Sequence, residues 1–379
     1  MKVSIILISF YMIGVACNNT SSVEQPTYVY KNLNFEINDT IALEGDTENI
    51  FSTYLYPIRF DSTELIAFDI LTNNLLFFKT ETFPLYHIDQ AIDLQVQYQM
   101  YSSIRNKLVG VIEVYNNNLL IISDPYFLIV DRDLEIQKVF NFNIHDNITN
   151  YYITGDVTNI KSNEDRTCVY FTIAPGLPAK EENYFTSGRI AEVNLKTGNY
   201  RILPVPLPFD YEIGKNYEIF AMPNFTLHEN YLYYIYPGSN YLYNYNLIND
   251  NIDSTFISPK HVEINVKEVG SNLEDLFSHL ECNNFYQIIS DDDLILLFYW
   301  KGKTRGPHNR HYGLKALDCY ILGYKPDVNM VLFDELFETN NLLKKAYMFR
   351  EGKLYFIYDD ITKLNQLKTE ILVYGLEIN

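Results

Sequence analysis

The sequence predicts an all-β protein, a six-bladed β-propeller whose ring is closed by an N-terminal strand. Tyr and Phe number 33 and 24 among 379 residues, and aromatic residues favour pleated, half-buried strands. Apolar runs of about six residues recur between Asn, Asp and Gly turns, which is typical of strands. A strand followed by one polar residue recurs 52 positions apart, from 79 to 131, 194 to 246 and 323 to 375. Such a spacing suits four-stranded propeller blades.

The N-terminus predicts export and a lipid anchor. After a basic Met1-Lys2 start, the 14 residues Val3–Ala16 are apolar, which is too short for a membrane span and typical of a signal peptide. The small residues before Cys17 resemble a lipobox. We therefore expect residues 1–16 to be a signal peptide and residues 17–29 to be a lipidated Cys17 followed by a polar tether. Simple secretion, with Cys17 as an ordinary residue, is the alternative.

These features predict a protein anchored to the outer membrane through Cys17, with its periplasmic or surface side left open. A formal net charge of -19 disfavours nucleic acid as a partner. The remaining cysteines, Cys168, Cys282 and Cys319, are odd in number. We expect buried free thiols, with one disulfide as the alternative.

Residues 30–379 are predicted to form a single propeller domain, because turn-bounded strands continue to its end. Three blades are clearest in the sequence. The fourth blade has strands at Glu218–Thr226, Tyr231–Tyr236, Tyr241–Leu247 and Asn251–Ile257. The second has strands at Leu108–Tyr115, Asn118–Ser123, Tyr126–Asp131 and Glu135–Phe142. The last has strands at Lys344–Arg350, Lys353–Tyr358 and Thr369–Leu376 and lacks a fourth, so Tyr30–Asn38 is predicted to pair outside Thr369–Leu376 and to close the ring.

The lipobox, the Asn-containing tether and the tyrosine-rich strands together resemble the TolB-like, six-bladed β-propeller lipoproteins of Bacteroidetes, a family of uncharacterised activity. The resemblance covers the whole mature chain. It implies an envelope propeller, and it supplies neither catalytic residues nor a cofactor.

Loop lengths indicate which face of the propeller is functional. If the four strands of each blade are called a, b, c and d in chain order, the a–b and c–d turns lie on one face and are minimal. The b–c and d–a connections lie on the other face and are long. Function concentrates on long loops held by a rigid scaffold; neutral drift of exposed loops is the alternative. The long connections are predicted at Asp89–Asn106, Asn143–Gly155, Pro206–Lys215, Pro259–Glu281, Ala174–Ser187 and Lys301–Lys315.

One of these connections is a basic island in an acidic chain, because five basic residues lie between Trp300 and Lys315 without an acidic neighbour. A basic loop with flanking aromatic residues could bind an acidic glycan or peptide. A solvated loop that pairs with acidic neighbours is the alternative. The candidate ligand-binding residues are Trp300, Lys301, Lys303, Arg305, His308, Arg310, His311 and Tyr312.

Metal and catalytic motifs are weak. His308 and His311 lack a third ligand in sequence, and Asp291-Asp292-Asp293 lacks the spaced oxygen ligands of a calcium loop. No metal, cofactor or catalytic residue is therefore predicted. We expect a non-catalytic binding or scaffold module that uses its long-loop face to contact an envelope protein or an acidic ligand. The alternatives are a propeller-fold hydrolase or lyase acting on a polysaccharide or peptide, and a sensory partner in signalling.

Overall fold

The computed structural model describes residues 25–46, 51–52, 54–101, 108–146, 149–154, 157–265, 268–269, 282–291, 293–302, 318–338, 346–357 and 368–379. The predicted signal peptide and Cys17 lie outside these ranges. Within them the regular structure is almost entirely β, which confirms the all-β prediction. None of the helices in the described ranges has the length and apolar character that a bilayer span requires.

Most strands form antiparallel sets in which consecutive strands pair. Two N-terminal strands come first: β1 (Thr27–Tyr28) and β2 (Leu33–Glu44). The first set is β3 (Leu55–Phe60), β4 (Glu64–Asp69), β5 (Asn74–Thr82) and β6 (Leu85–Asp93). The second is β7 (Leu108–Glu113), β8 (Leu119–Ser123), β9 (Tyr126–Val130) and β10 (Ile136–Asn141). In the third, β11 (Tyr151–Ile153) and β12 (Ile160–Ser162) both pair with β13 (Cys168–Pro175), and β14 (Ile190–Asn194) and β15 (Tyr200–Leu203) follow.

The second half of the chain repeats this plan. The fourth set is β16 (Asn224–His228), β17 (Tyr231–Ile235), β18 (Tyr241–Asn246) and β19 (Ile252–Phe256). The fifth is β20 (Asn284–Asp291), β21 (Leu294–Lys301), β22 (Asp318–Lys325) and β23 (Met330–Glu338), with β1 parallel to β23. The sixth contains β24 (Ala346–Arg350), β25 (Lys353–Ile357) and β26 (Lys368–Ile378). Short helices are α1 (Leu94–Gln97) and α2 (Glu182–Thr186), with 3-10 turns at Gln99–Tyr101, Tyr115–Asn117, Val157–Asn159, Glu218–Ala221 and Pro326–Val328.

The N-terminal strand β2 pairs antiparallel with the last strand β26, from Leu33 opposite Ile378 to Glu44 opposite Lys368. The strand begins three residues later than the predicted Tyr30 and continues past Asn38, because a bulge between Ile37 and Asp39 lets the pairing resume. Its end also pairs in parallel with β6. The sixth and first sets are therefore joined in one eight-stranded sheet.

Six apolar clusters fill the spaces between successive strand sets. One cluster lies between each set and the next, and one lies between the sixth set and the first. Pairs that represent these clusters in chain order are Phe68 with Leu128, Phe127 with Phe171, Leu203 with Tyr234, Ile235 with Leu297, Phe298 with Phe356, and Phe78 with Ile371.

The first strands of neighbouring sets also contact one another, from β3 to β7, β12, β16, β20 and β24 in turn. Consecutive antiparallel sheets that pack face to face in this way form a β-propeller. The prediction of an all-β propeller is therefore confirmed.

The aromatic excess is largely structural. Six tyrosines are among the largest fully buried side chains of the described residues, and their rings lie in the clusters between sheets. Buried tyrosines usually place the hydroxyl on a polar partner, as Tyr236 does by donating to the carbonyl of Pro206 at 2.8 Å. The six are Tyr86, Tyr217, Tyr234, Tyr236, Tyr245 and Tyr299.

Two predicted boundaries are wrong. Glu218–Thr226 was expected to be one strand, but Glu218–Ala221 is a 3-10 turn and the strand begins at Asn224. Pro223 separates the two because it has no backbone N–H to donate to a ladder. The connection predicted to start at Asp89 starts after Asp93, where β6 ends.

No disulfide joins Cys168, Cys282 and Cys319, so the alternative of one bridge among them is wrong. Cys282 and Cys319 are buried and Cys168 is half-buried, close to the expectation of three buried thiols.

Candidate functional site

A pocket of about 270 Å³ and a larger one of about 520 Å³ occur in the described part of the chain. The larger one lies between two of the predicted long connections. One wall is the segment after β13 that contains α2, and the other is the connection between β15 and β16. A b–c and a d–a connection therefore meet at one pocket, as expected for loops that share a propeller face.

The one buried charged residue in the described lining of this pocket is Arg189, which directly precedes β14 and is 1% exposed. Its Nη2 donates a hydrogen bond of 2.6 Å to the carbonyl oxygen of Tyr184. The guanidinium also lies 4.3 Å from the centroid of the Tyr184 ring, a cation–π distance. The helix α2 thus supplies both a carbonyl and a ring to hold the cation.

A second donor of the guanidinium, Nε, is not satisfied. Arg189 Nε is buried and has no hydrogen-bond partner. No described acidic side chain lies within ion-pairing distance of this guanidinium. Burial lowers the pKa of Arg189, and the nearby groups that oppose this effect are the hydroxyls of Tyr236, Tyr184 and Tyr151.

These tyrosines do not neutralise the arginine. Burial raises the pKa values of Tyr151, Tyr184 and Tyr236, so all three stay uncharged at neutral pH. A buried and unpaired charge is strongly unfavourable in a folded protein. The Arg189 pocket, as we call this cavity, is therefore suited to a ligand that carries the missing negative charge.

The pocket offers further polar and apolar contacts to such a ligand. Lys180 adds a second cation, and Glu218 and Glu268 add two carboxylates. Apolar lining comes from Ala174, Pro175, Leu177, Pro178, Ala179, Ala221 and Met222. A mostly apolar wall with a few convergent charged groups is typical of small-molecule sites.

The structure describes two of the eight candidate ligand-binding residues of the basic loop and its flanks, Trp300 and Lys301. Trp300 is 5% exposed, stacks on Tyr286 at 4.9 Å and donates its indole N–H to the Cys282 carbonyl at 3.0 Å. This placement corrects its expected role as a ligand-contacting aromatic, because the ring belongs to the core beside β20. Lys301 is exposed at the end of β21.

The other candidates stay a prediction, because they lie outside the described residues: Lys303, Arg305, His308, Arg310, His311 and Tyr312. The described residues contain no group of three or more His, Cys, Asp or Glu side chains that could hold a metal ion.

Arg189 was missed because nothing local marks it as buried. A basic residue before the run Ile190–Asn194 reads as an ordinary strand start. The tyrosines around it are Tyr184 on α2, Tyr151 on β11 of the same set and Tyr236 directly after β17 of the fourth set. The available signal was the long connection 174–187 ending beside it.

Similar proteins show the fold and no more. A scan against protein-family models and a search of curated proteins give no match. Among solved structures, a member of the DUF4221 family from Bacteroides vulgatus is 12% identical, with a TM-score of 0.67 over 92% of this chain and 99% of that one. A protein from Bacteroides fragilis, named as a candidate exported protein, is 10% identical, with a TM-score of 0.51 over 93% and 99% of the two chains.

Proposed function

We propose that the chain is an exported, lipid-anchored, six-bladed β-propeller that binds a carboxylate-bearing ligand in the Arg189 pocket. The observation that carries the ligand class is a buried guanidinium that lines a pocket and has no acidic partner among the described residues. Carboxylates match guanidinium geometry and charge better than neutral groups do. The role is binding, and it is exerted through the long-loop face.

Six blades and a closed ring are supported by the packing. Six apolar clusters separate the strand sets, and the last of them joins Ile357 and Ile371 of the sixth set to Leu65 and Leu76 of the first. The pairing of β2 with β26 supplies the fourth strand of the sixth set. Closure of this kind covers the edge of β26 that a three-stranded sixth set would leave open to unwanted pairing.

Export and anchoring rest on the signal peptide and Cys17 of the sequence. The likeness to the Bacteroides fragilis protein, whose name refers to export, supports an envelope location. The likeness to the DUF4221 structure supports a relationship to propellers of Bacteroidetes.

Replacing Cys17 by serine is expected to abolish lipid attachment and to release the protein from the membrane fraction. Incorporation of labelled palmitate, followed by fractionation, measures both effects. Cys168→Ser is the matched control and should keep the label, since Cys168 lies in β13 of the folded domain. Equal labelling of the Cys17→Ser variant and the unmodified protein would contradict the anchor.

The ligand class is tested by thermal unfolding of the mature chain with paired probes. Glucuronate, N-acetylneuraminate and glutamate are each compared with their neutral amides. A ligand at 100 times its Kd stabilises the native state by about 2.7 kcal/mol, so a carboxylate that binds should raise Tm by several degrees while its amide does not. No shift with any carboxylate would contradict the proposal.

Turnover of a probe, instead of binding alone, would indicate the hydrolase or lyase alternative. Glu218 and Glu268 line the same pocket and would then be the first residues to replace.

A further inference from the structure

The smaller pocket, of about 270 Å³, lies among the first strands of the propeller. Its lining comes from β3, β7, β12 and β24, which are inner strands of the first, second, third and sixth sets. The lining includes the last residues of β3, β7 and β12, and the short a–b turns follow these strand ends. The Arg189 pocket is formed by long b–c and d–a connections, so the two pockets belong to different faces.

A charged cluster occupies one side of this second pocket. The side chains of Arg59 and Glu113 are 10% and 11% exposed. Arg59 Nε donates to Glu113 Oε1 at 2.6 Å, and Arg59 Nη2 contacts the same oxygen. Arg166 Nη1 donates to Glu113 Oε2. One carboxylate is therefore shared between two guanidinium groups.

Two buried polar atoms of the lining have no hydrogen-bond partner. They are Arg59 Nη1 and the hydroxyl of Tyr347. Glu64 Oε2 lies 3.8 Å from Arg59 Nη1, which is an ion-pair distance and too long for a hydrogen bond. Each unsatisfied buried donor is unfavourable, and the two donors come from strands of different sets, β3 and β24.

Positive and negative groups balance around this pocket. Arg59, Lys161 and Arg166 are the cations of the lining. Glu113 and Glu64 pair with Arg59, and Asp61 interacts with it electrostatically. An anion would therefore be held by the donors that lack a hydrogen-bond partner.

We propose that this pocket, the Arg59 pocket, binds a small oxyanion such as phosphate, sulfate or a short carboxylate. The anion would accept hydrogen bonds from Arg59 Nη1 and the Tyr347 hydroxyl, the two donors of the lining that lack a partner. A pocket of this volume holds an ion of a few heavy atoms. The proposal is independent of the Arg189 pocket, because it uses other residues on another face.

The test is titration of the mature chain with phosphate, sulfate and acetate against chloride at equal ionic strength. Unfolding temperature and heat of binding are recorded. At least one oxyanion should bind saturably to the unmodified protein. Tyr347→Phe removes one hydrogen bond to a charged acceptor, so the affinity should fall about tenfold. The same variant should be no less stable without the anion, since its hydroxyl has no partner to lose.

Tyr243→Phe is the matched control, because the Tyr243 hydroxyl is also buried and without a partner but lies on β18, away from this pocket. It should bind the anion as the unmodified protein does. Two results would overturn the proposal: no saturable binding of any of the three oxyanions, or equal affinities in Tyr347→Phe and the unmodified protein. Comparison of phosphate and sulfate with acetate shows which oxyanion the site prefers.

Discussion

Replacing Glu113 by alanine is expected to lower the free energy of unfolding by about 3 to 5 kcal/mol, the usual effect of removing one partner of a buried ion pair. The carboxylate holds two guanidinium groups, and its removal leaves Arg59 charged, nine-tenths buried and without its main partner. Urea denaturation measures the change, with the slope of the transition reporting whether the native state stays compact.

A double variant separates charge from packing. Arg59→Met combined with Glu113→Leu removes both charges and keeps most of the side-chain volume, so it should recover most of the stability. If it is as unstable as Glu113→Ala, the loss comes from packing and the electrostatic explanation is wrong. Acetate should also stabilise Glu113→Ala more than the unmodified protein, because the anion can replace the missing carboxylate between the two arginines.

Replacing Arg189 by methionine is expected to leave the ligand-free protein at least as stable as before, with a gain of about 1 kcal/mol or more. Methionine fills a similar space and removes a buried charge that has no acidic partner in the described part of the chain. The lost hydrogen bond to the Tyr184 carbonyl offsets part of this gain. Denaturation in the absence of carboxylates measures the change in stability. A gain in stability is unusual when a core residue is replaced.

Arg201→Met is the matched control for this prediction. Arg201 lies on the adjacent strand β15 and is paired with Glu192 at 2.8 Å and with Asp250 at 3.0 Å. Its loss should lower stability by up to about 1 kcal/mol, as for other partly exposed pairs. A clear loss of stability in Arg189→Met would show that its guanidinium is satisfied in the folded protein.

The strands could be predicted where apolar runs end at turn residues. Tyr126–Val130 and Leu119–Ser123 were located to within one residue, because Asn116–Asn118 and Asp124-Pro125 mark the chain reversals. The pairing of the N-terminal strand with the last strand followed from a missing fourth strand. Its register did not, because the bulge after Ile37 depends on a partner more than 300 residues away.

The candidate sites were less predictable. A charged residue reveals its burial only through the groups around it, and Arg189 is enclosed by tyrosines from three separate parts of the chain. Arg59, Glu113 and Arg166 are likewise far apart in sequence, and ring packing brings them together. The basic loop attracted notice because its charges are contiguous. Charged residues that are neighbours in the chain can be recognised in the sequence. A cation that is buried without an acidic partner among the described residues can be recognised only in the fold.

The most direct test is calorimetric titration of the unmodified protein and Arg189→Met with glucuronate, and with glucuronamide as the neutral control. If glucuronate is not the probe that raises Tm most, the best carboxylate of the panel and its amide take their place. We predict that the unmodified protein binds the carboxylate and not the amide. Affinity in Arg189→Met should fall by about 30-fold or more, the effect of removing one member of a buried charge pair. Equal affinity in the two proteins, or binding of the amide as tight as that of the carboxylate, would contradict the assignment of Arg189 as the ligand-binding residue.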